Sequence, residues 1–273
     1  MRSTGARVYD RSLIMTPQPP SRPAGDLDTH TAPLSIGEVL PAFRQAVSDI
    51  ETAYALRKPK TANQVTPPQL HEAFDQVLNI ATNLSAADGG AADMSAVDIT
   101  QLGDYGLGLL GDLGAWAQQL KLSEAKAQTE RMAVALADWC VTFGGELKAL
   151  EPVVNGLASL ANQVRDAAAL EQLAQFMTRV LSASDASIKQ DLEKTNPGRP
   201  WRILHFNRAI VATRSHNTAL MEQIFDELIR ALPDDVAQFF QEGMQQMEAL
   251  NYPPQVRAVM DRYYRAWTQH RVH

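Results

Sequence analysis

The chain has 273 residues, 45% of them hydrophobic, enough length to bury a sizeable core in one extended domain or two small ones. Its net charge of −6 gives no electrostatic footprint for DNA, RNA or an anionic membrane, so nucleic acid is not an expected partner. The single cysteine, Cys140, excludes an intrachain disulfide framework and any C-x-x-C metal or redox motif.

Residues 1–33 carry Pro17, Pro19, Pro20, Pro23 and Pro33 among Ser, Thr, Gly and Asp, a composition that predicts a disordered tail. Arg2, Arg7 and Arg11 are not followed by a signal-peptide hydrophobic stretch. The longest apolar run, Met132 to Ala137, is far shorter than the roughly 18 residues of a membrane span. The default expectation is a cytoplasmic protein with no membrane span.

From Leu34 onward apolar residues recur at three- and four-residue spacing and strand-like alternation is nearly absent, which predicts an all-α body. A first helix spans about 35–57, using Val39, Phe43, Val47, Ile50 and Tyr54. A second begins at Pro67-Pro68 and carries Leu70, Phe74, Val77, Leu78 and Ala81. Together they make an N-terminal hairpin, 34–88, closed by the Asp88-Gly89-Gly90 joint. A central helical region covers 95–194. In it Ser123 is expected to cap a helix bearing Met132, Leu136, Trp139, Cys140 and Phe143, which stops at Gly144-Gly145. Cys140 there reads as a packed small hydrophobe. Leu147, Leu150, Val154, Leu157, Ala161 and Val164 predict a three-heptad seam. Leu170, Leu173, Met177, Val180 and Leu181 make a further apolar face. The turn signal Thr195-Asn196-Pro197-Gly198-Arg199-Pro200 then forms a second joint.

Residues 199–273 read as C-terminal hairpins, with helical blocks at about 201–216, 218–232, 235–250 and 254–269. The connections are so short that neighbours are expected to pack antiparallel. These blocks resemble the helix pairs of tetratricopeptide-like repeats: Phe225 and Pro233 are spaced as in the second helix of that consensus, with Ile229 apolar between them. The first-helix Trp, Leu-Gly and Tyr pattern is missing, and the likeness covers little more than one hairpin. It implies antiparallel hairpins stacked as a bundle or short array, and a groove for another protein.

Gly106-Leu107-Gly108-Leu109-Leu110-Gly111 spells the dinucleotide-binding G-x-G-x-x-G. No strand-like run precedes it, and Leu102, Leu109, Leu110, Leu113, Trp116 and Leu120 fall on one helical arc, so a packed helix is the better reading. Five glycines in that helix would cost about 4 to 5 kcal/mol against alanine. Either another helix backbone approaches along the glycine edge, or the segment is a hinge.

The charge pattern singles out one helix. Residues 199–216 hold Arg199, Arg202, Arg208 and Arg214 and no acid, whereas 217–253 hold seven acids against Arg230. The apolar residues of 201–216 do not gather on one side, which is typical of a central helix whose polar groups then need partners. His205 and His216, eleven residues apart, return to nearly the same helical angle. Two readings are open. Arg202, His205, Arg208 and His216 line a groove for a small anionic ligand, or the arginines pair with Glu222, Asp226, Glu227, Asp234 or Asp235. The two histidines stand about 16 Å apart on a helix, too far to share a metal ion. No E-x-x-H, H-E-x-x-H, G-x-S-x-G or P-loop string occurs, so no metal, cofactor or catalytic residue is assigned. The terminal block sets Val256, Val259, Met260, Tyr263 and Trp267 on one face with Arg257, Arg262, Arg265 and Arg271 elsewhere, as in a helix that covers the core with one side. The functional expectation is a non-catalytic helical interaction or assembly protein, a scaffold or adaptor for another protein, with self-association left open. The alternative is an all-α ligand sensor or enzyme built on the 201–216 strip.

Overall fold

The computed structural model describes residues 35–57, 59, 64–86, 94–191, 196 and 198–268. The tail predicted over 1–33, the joint at 88–90, Arg271 and, of the joint at 195–200, Thr195 and Pro197 lie outside them. The described residues are all-α, with eleven helices and one isolated bridge between extended residues. None of these helices is long and apolar enough to cross a membrane. The chain forms two compact units: Pro33–Leu160 with Arg179–Leu192, and Ala161–Thr178 with Glu193–His273.

In the first unit α1 (Ile36–Arg57), α2 (Pro67–Ala86), α3 (Ala96–Gln119) and α4 (Ser123–Thr142) close a ring of contacts, α1 to α2 to α3 to α4 and back to α1. Each of the first three starts at a Ser or Thr that hydrogen-bonds the side chain three residues on, reciprocally for α1 and α3. Ser35 exchanges hydrogen bonds with Glu38, and Ser95 does so with Asp98; at Thr66 the amide and hydroxyl both donate to Gln69 Oε1. Of the anticipated apolar positions of α1 and α2, Val39, Phe43, Val47, Ile50, Leu70, Phe74, Val77, Leu78 and Ala81 are buried and Tyr54 is half-buried. Phe43 and Phe74 meet edge to face at 5.2 Å. Trp116 of α3 packs its edge against Tyr54 and donates from Nε1 to the Val65 carbonyl.

All five glycines of the G-x-G-x-x-G neighbourhood lie inside α3, but they are not one edge. A Cβ on Gly103 would stand 2.8 Å from Cys140 Sγ, one on Gly106 2.7 Å from Leu136 Cδ2, and one on Gly114 3.2 Å from Thr129 Oγ1. Among the described residues, a Cβ on Gly108 or Gly111 would meet nothing within 4 Å. On its inward side α4 packs closely against Gly103, Gly106 and Gly114, as expected of glycines that admit a neighbouring helix, with its side chains as the nearest atoms. True backbone contact occurs at Gly156, whose Cβ would collide with the Glu130 carbonyl oxygen. Cys140 is fully buried, near the carbonyls of Ile99 and Glu146.

Two further expectations need correction. Ser123 is the first residue of α4, not its cap. Lys121 takes the left-handed conformation (φ 58°) and the Leu122 amide donates to the Ala117 carbonyl, so the tight end of α3 moves the cap position to Leu122. The three-heptad seam is also shorter than predicted, because α5 spans only Glu151–Gln163. The Leu147 amide donates to Ala183 O and its carbonyl accepts from Asp185, a bridge that holds Leu147 extended ahead of the helix. α6 (Ala167–Ala183) buries Leu170, Leu173, Met177, Val180 and Leu181, and Asp185 then caps the short α7 (Ala186–Lys189).

In the second unit α8 (Pro200–Arg214) packs on α9 (Thr218–Ala231), and α11 (Pro254–Thr268) packs on both α10 (Val236–Ala249) and α9. Asn217 caps α9 by accepting from the Leu220 amide. Phe225, Phe239, Phe240 and Tyr263 form an aromatic cluster, onto which Phe206 of α8 stacks at 5.7 Å from Phe239. Gly243 admits the Met260 side chain, with Sδ 2.7 Å from where a Cβ would be, so α10 and α11 approach closely. Ile229, expected at an apolar position, is only half-buried, and Leu228 is the buried neighbour.

Candidate functional site

Helix α8 begins with Pro200 at its first turn, where the missing amide hydrogen costs no helical bond. Every residue from Trp201 to Ala209 is buried, as the all-round apolar pattern predicts for a central helix. Burial of Arg202, His205, Asn207 and Arg208 together demands hydrogen-bond partners, since a polar group left without one costs about 1–3 kcal/mol.

The partners come mostly from the acidic segment that follows. Arg202 forms a buried ion pair with Asp235 at the start of α10. Arg208, 2% exposed, donates from Nη1 to Glu227 Oε2 of α9 at 2.7 Å and to Thr178 Oγ1 of α6 at 3.2 Å. Burial draws its guanidinium below the usual arginine value, and Glu227 opposes that shift. Arg214 donates to the carbonyls of Ala161 and Val164 at 2.7 and 2.8 Å, satisfying two groups at the end of α5. Thr213 and Ser215 return their hydroxyls to carbonyls of α8 itself.

His205 lies between these cations with its ring edge-on to Trp201 at 4.4 Å. Burial pushes its imidazole down to about 3, and the positive charges of Arg208 and then Arg202 push the same way. It is neutral at physiological pH.

The strip joining His205 to His216 does not form. α8 ends at Arg214, and His216 is an exposed left-handed residue (φ 59°) in the turn that releases the chain into the Asn217 cap. The 100° step per residue cannot be carried through that turn. The His216 ring packs edge-on against Tyr252, 5.6 Å away. Arg202, His205 and Arg208 are thus brought together and His216 is not.

Sequence reasoning missed Thr178, which meets Arg208 across 30 positions with no local pattern to announce it. It also missed His71, held between Glu51 at 2.9 Å and Asp75 at 3.5 Å; the four-residue spacing of His71 and Asp75 was a legible signal. Two arginines of α11 are used on the surface, Arg262 with Glu222 and Arg265 with Asp261. Among the described residues no group of three or more His, Cys, Asp or Glu side chains is arranged to hold a metal ion. No protein-family model, curated protein or solved structure matches the chain.

Proposed function

We propose that this chain is a non-catalytic helical interaction or assembly protein, an adaptor for another protein, and that its partner docks on the outward face of α3. The observation that carries this reading is the make-up of that face. Val97 and Tyr105 are 63% and 56% exposed, and Gly108 and Gly111 lie in the same arc with open space above them. Such mid-helix glycines, Gly108 exposed and Gly111 half-buried, cost about 1 kcal/mol each against alanine, and among the described residues no neighbour packs over them. A partner seated over them offsets that cost by approaching the helix backbone, with Tyr105 as an amphipathic anchor. The engagement of Arg202 and Arg208 by acids of α10 and α9 supports the same reading, because it gives the cationic helix a structural role. The likeness of the C-terminal helix pairs to tetratricopeptide-like hairpins and a cytoplasmic setting belong to this proposal.

The test uses the tagged full chain as bait, in wild-type form and as Val97→Glu and Tyr105→Glu. Both sites are exposed, so circular dichroism and thermal midpoint should be unchanged. A protein retained by the wild type and lost from both variants supports the reading. Equal retention by all three overturns docking on α3.

A further inference from the structure

The Arg208 guanidinium is used on one side only. Nη1 serves Glu227 and Thr178, but the opposite edge, Nε and Nη2, is buried and meets no acceptor among the described residues. Those two N–H groups run parallel and match the paired oxygens of a carboxylate or the oxygens of a phosphate. His205, three residues earlier on α8 and 7% exposed, has a buried Nδ1 that also lacks a partner among the described residues. We infer that the Nε/Nη2 edge of Arg208, with the buried His205 one turn earlier on the same helix, is a binding site for a small oxyanion.

The electrostatics favour an anion there. Glu227, which answers the Arg208 charge, has a side chain 27% exposed, so solvent screens it while the guanidinium stays interior. After burial, the charges of Arg208 and then Arg202 also disfavour a proton on His205. The same charges attract an oxyanion. His205 is neutral, so its Nδ1 can carry the hydrogen and donate it to the bound group. The nitrogens that would hold the group are buried, which suits a small free ion and not a polymer. The inference does not draw on the outward face of α3, and its failure would leave that reading intact.

Arginine Nε–H resonances of the 15N-labelled full chain provide the test. The Arg208 signal is the one displaced in Glu227→Gln, a partly exposed site where folding is expected to persist. Acetate and inorganic phosphate are each titrated to about 100 mM against chloride at matched ionic strength. The expected result is a saturable shift of the Arg208 signal with acetate or phosphate and none with chloride; whichever ion acts at lower concentration identifies the oxyanion class. Removing the competing charge in Glu227→Gln should tighten that binding about tenfold. Arg208→Lys keeps a charge but loses the two-pronged edge, and should abolish the anion-dependent rise in thermal midpoint. A signal unmoved by either oxyanion, or moved equally by chloride, overturns the inference and leaves the edge to water.

Discussion

Helices α3 and α8 depart from ordinary helix composition in opposite ways. α3 carries too little side chain and α8 too much charge for where each lies. In α3 the inward glycines are a matter of space: Gly103, Gly106 and Gly114 make room for Cys140, Leu136 and Thr129 of α4. In α8 the cations are a matter of pairing: Arg202 and Arg208 are tolerable inside because Asp235 and Glu227 arrive from the following helices. Space and charge fail differently when disturbed. A crowded contact relaxes by degrees, whereas a buried ion that loses its counterion has nowhere to relax to.

The largest expected effect breaks the charge side of this contrast. Arg202→Met removes the ion-pair partner of buried Asp235 and should cost about 3–5 kcal/mol in urea unfolding, while adding Asp235→Leu should restore most of it. A single variant as stable as the wild type would show that the pair does not hold α8. On the space side, Gly114→Leu should cost about 1–3 kcal/mol through overpacking against Thr129, whereas Gly108→Ala on the same helix should stabilise by about 0.5–1 kcal/mol. Two effects of the same sign would refute the division of α3 into a crowded and an open side.

Protonation sharpens the charge side further. His205 sits near 3 in the fold and near its ordinary value of about 6.5 once unfolded. As pH falls, the unfolded chain takes up the proton first. The stability tied to a neutral His205 is therefore full above about pH 6.5 and is lost progressively toward pH 3. Between about pH 7.5 and pH 5 the loss is about 2 kcal/mol, and His205→Gln should lose that much less than wild type in paired unfolding curves. Parallel losses in the two proteins would mean that another group sets the acid sensitivity.

The helices were legible in the sequence because their cues are local. The spacing of Val39, Phe43, Val47 and Ile50 and the prolines at 67 and 68 each act within a turn or two. The centrality of α8 was legible too, from apolar residues on several sides. What escaped depends on chain returning from a distance: the Leu147 bridge to Ser184, Thr178 beside Arg208, and which glycines face a neighbour. His216 escaped for a different reason. A helical wheel assumes that the helix continues, and one left-handed residue ends the assumption.

Cys140 gives the first unit a built-in stopwatch. Its thiol is fully enclosed and is pushed up to about 12 by burial, with Asp104 adding to the effect, so an alkylating reagent finds neither access nor thiolate while the unit is closed. The labelling rate of this one sulfur therefore counts openings of the α3–α4 seam, with no engineered probe needed.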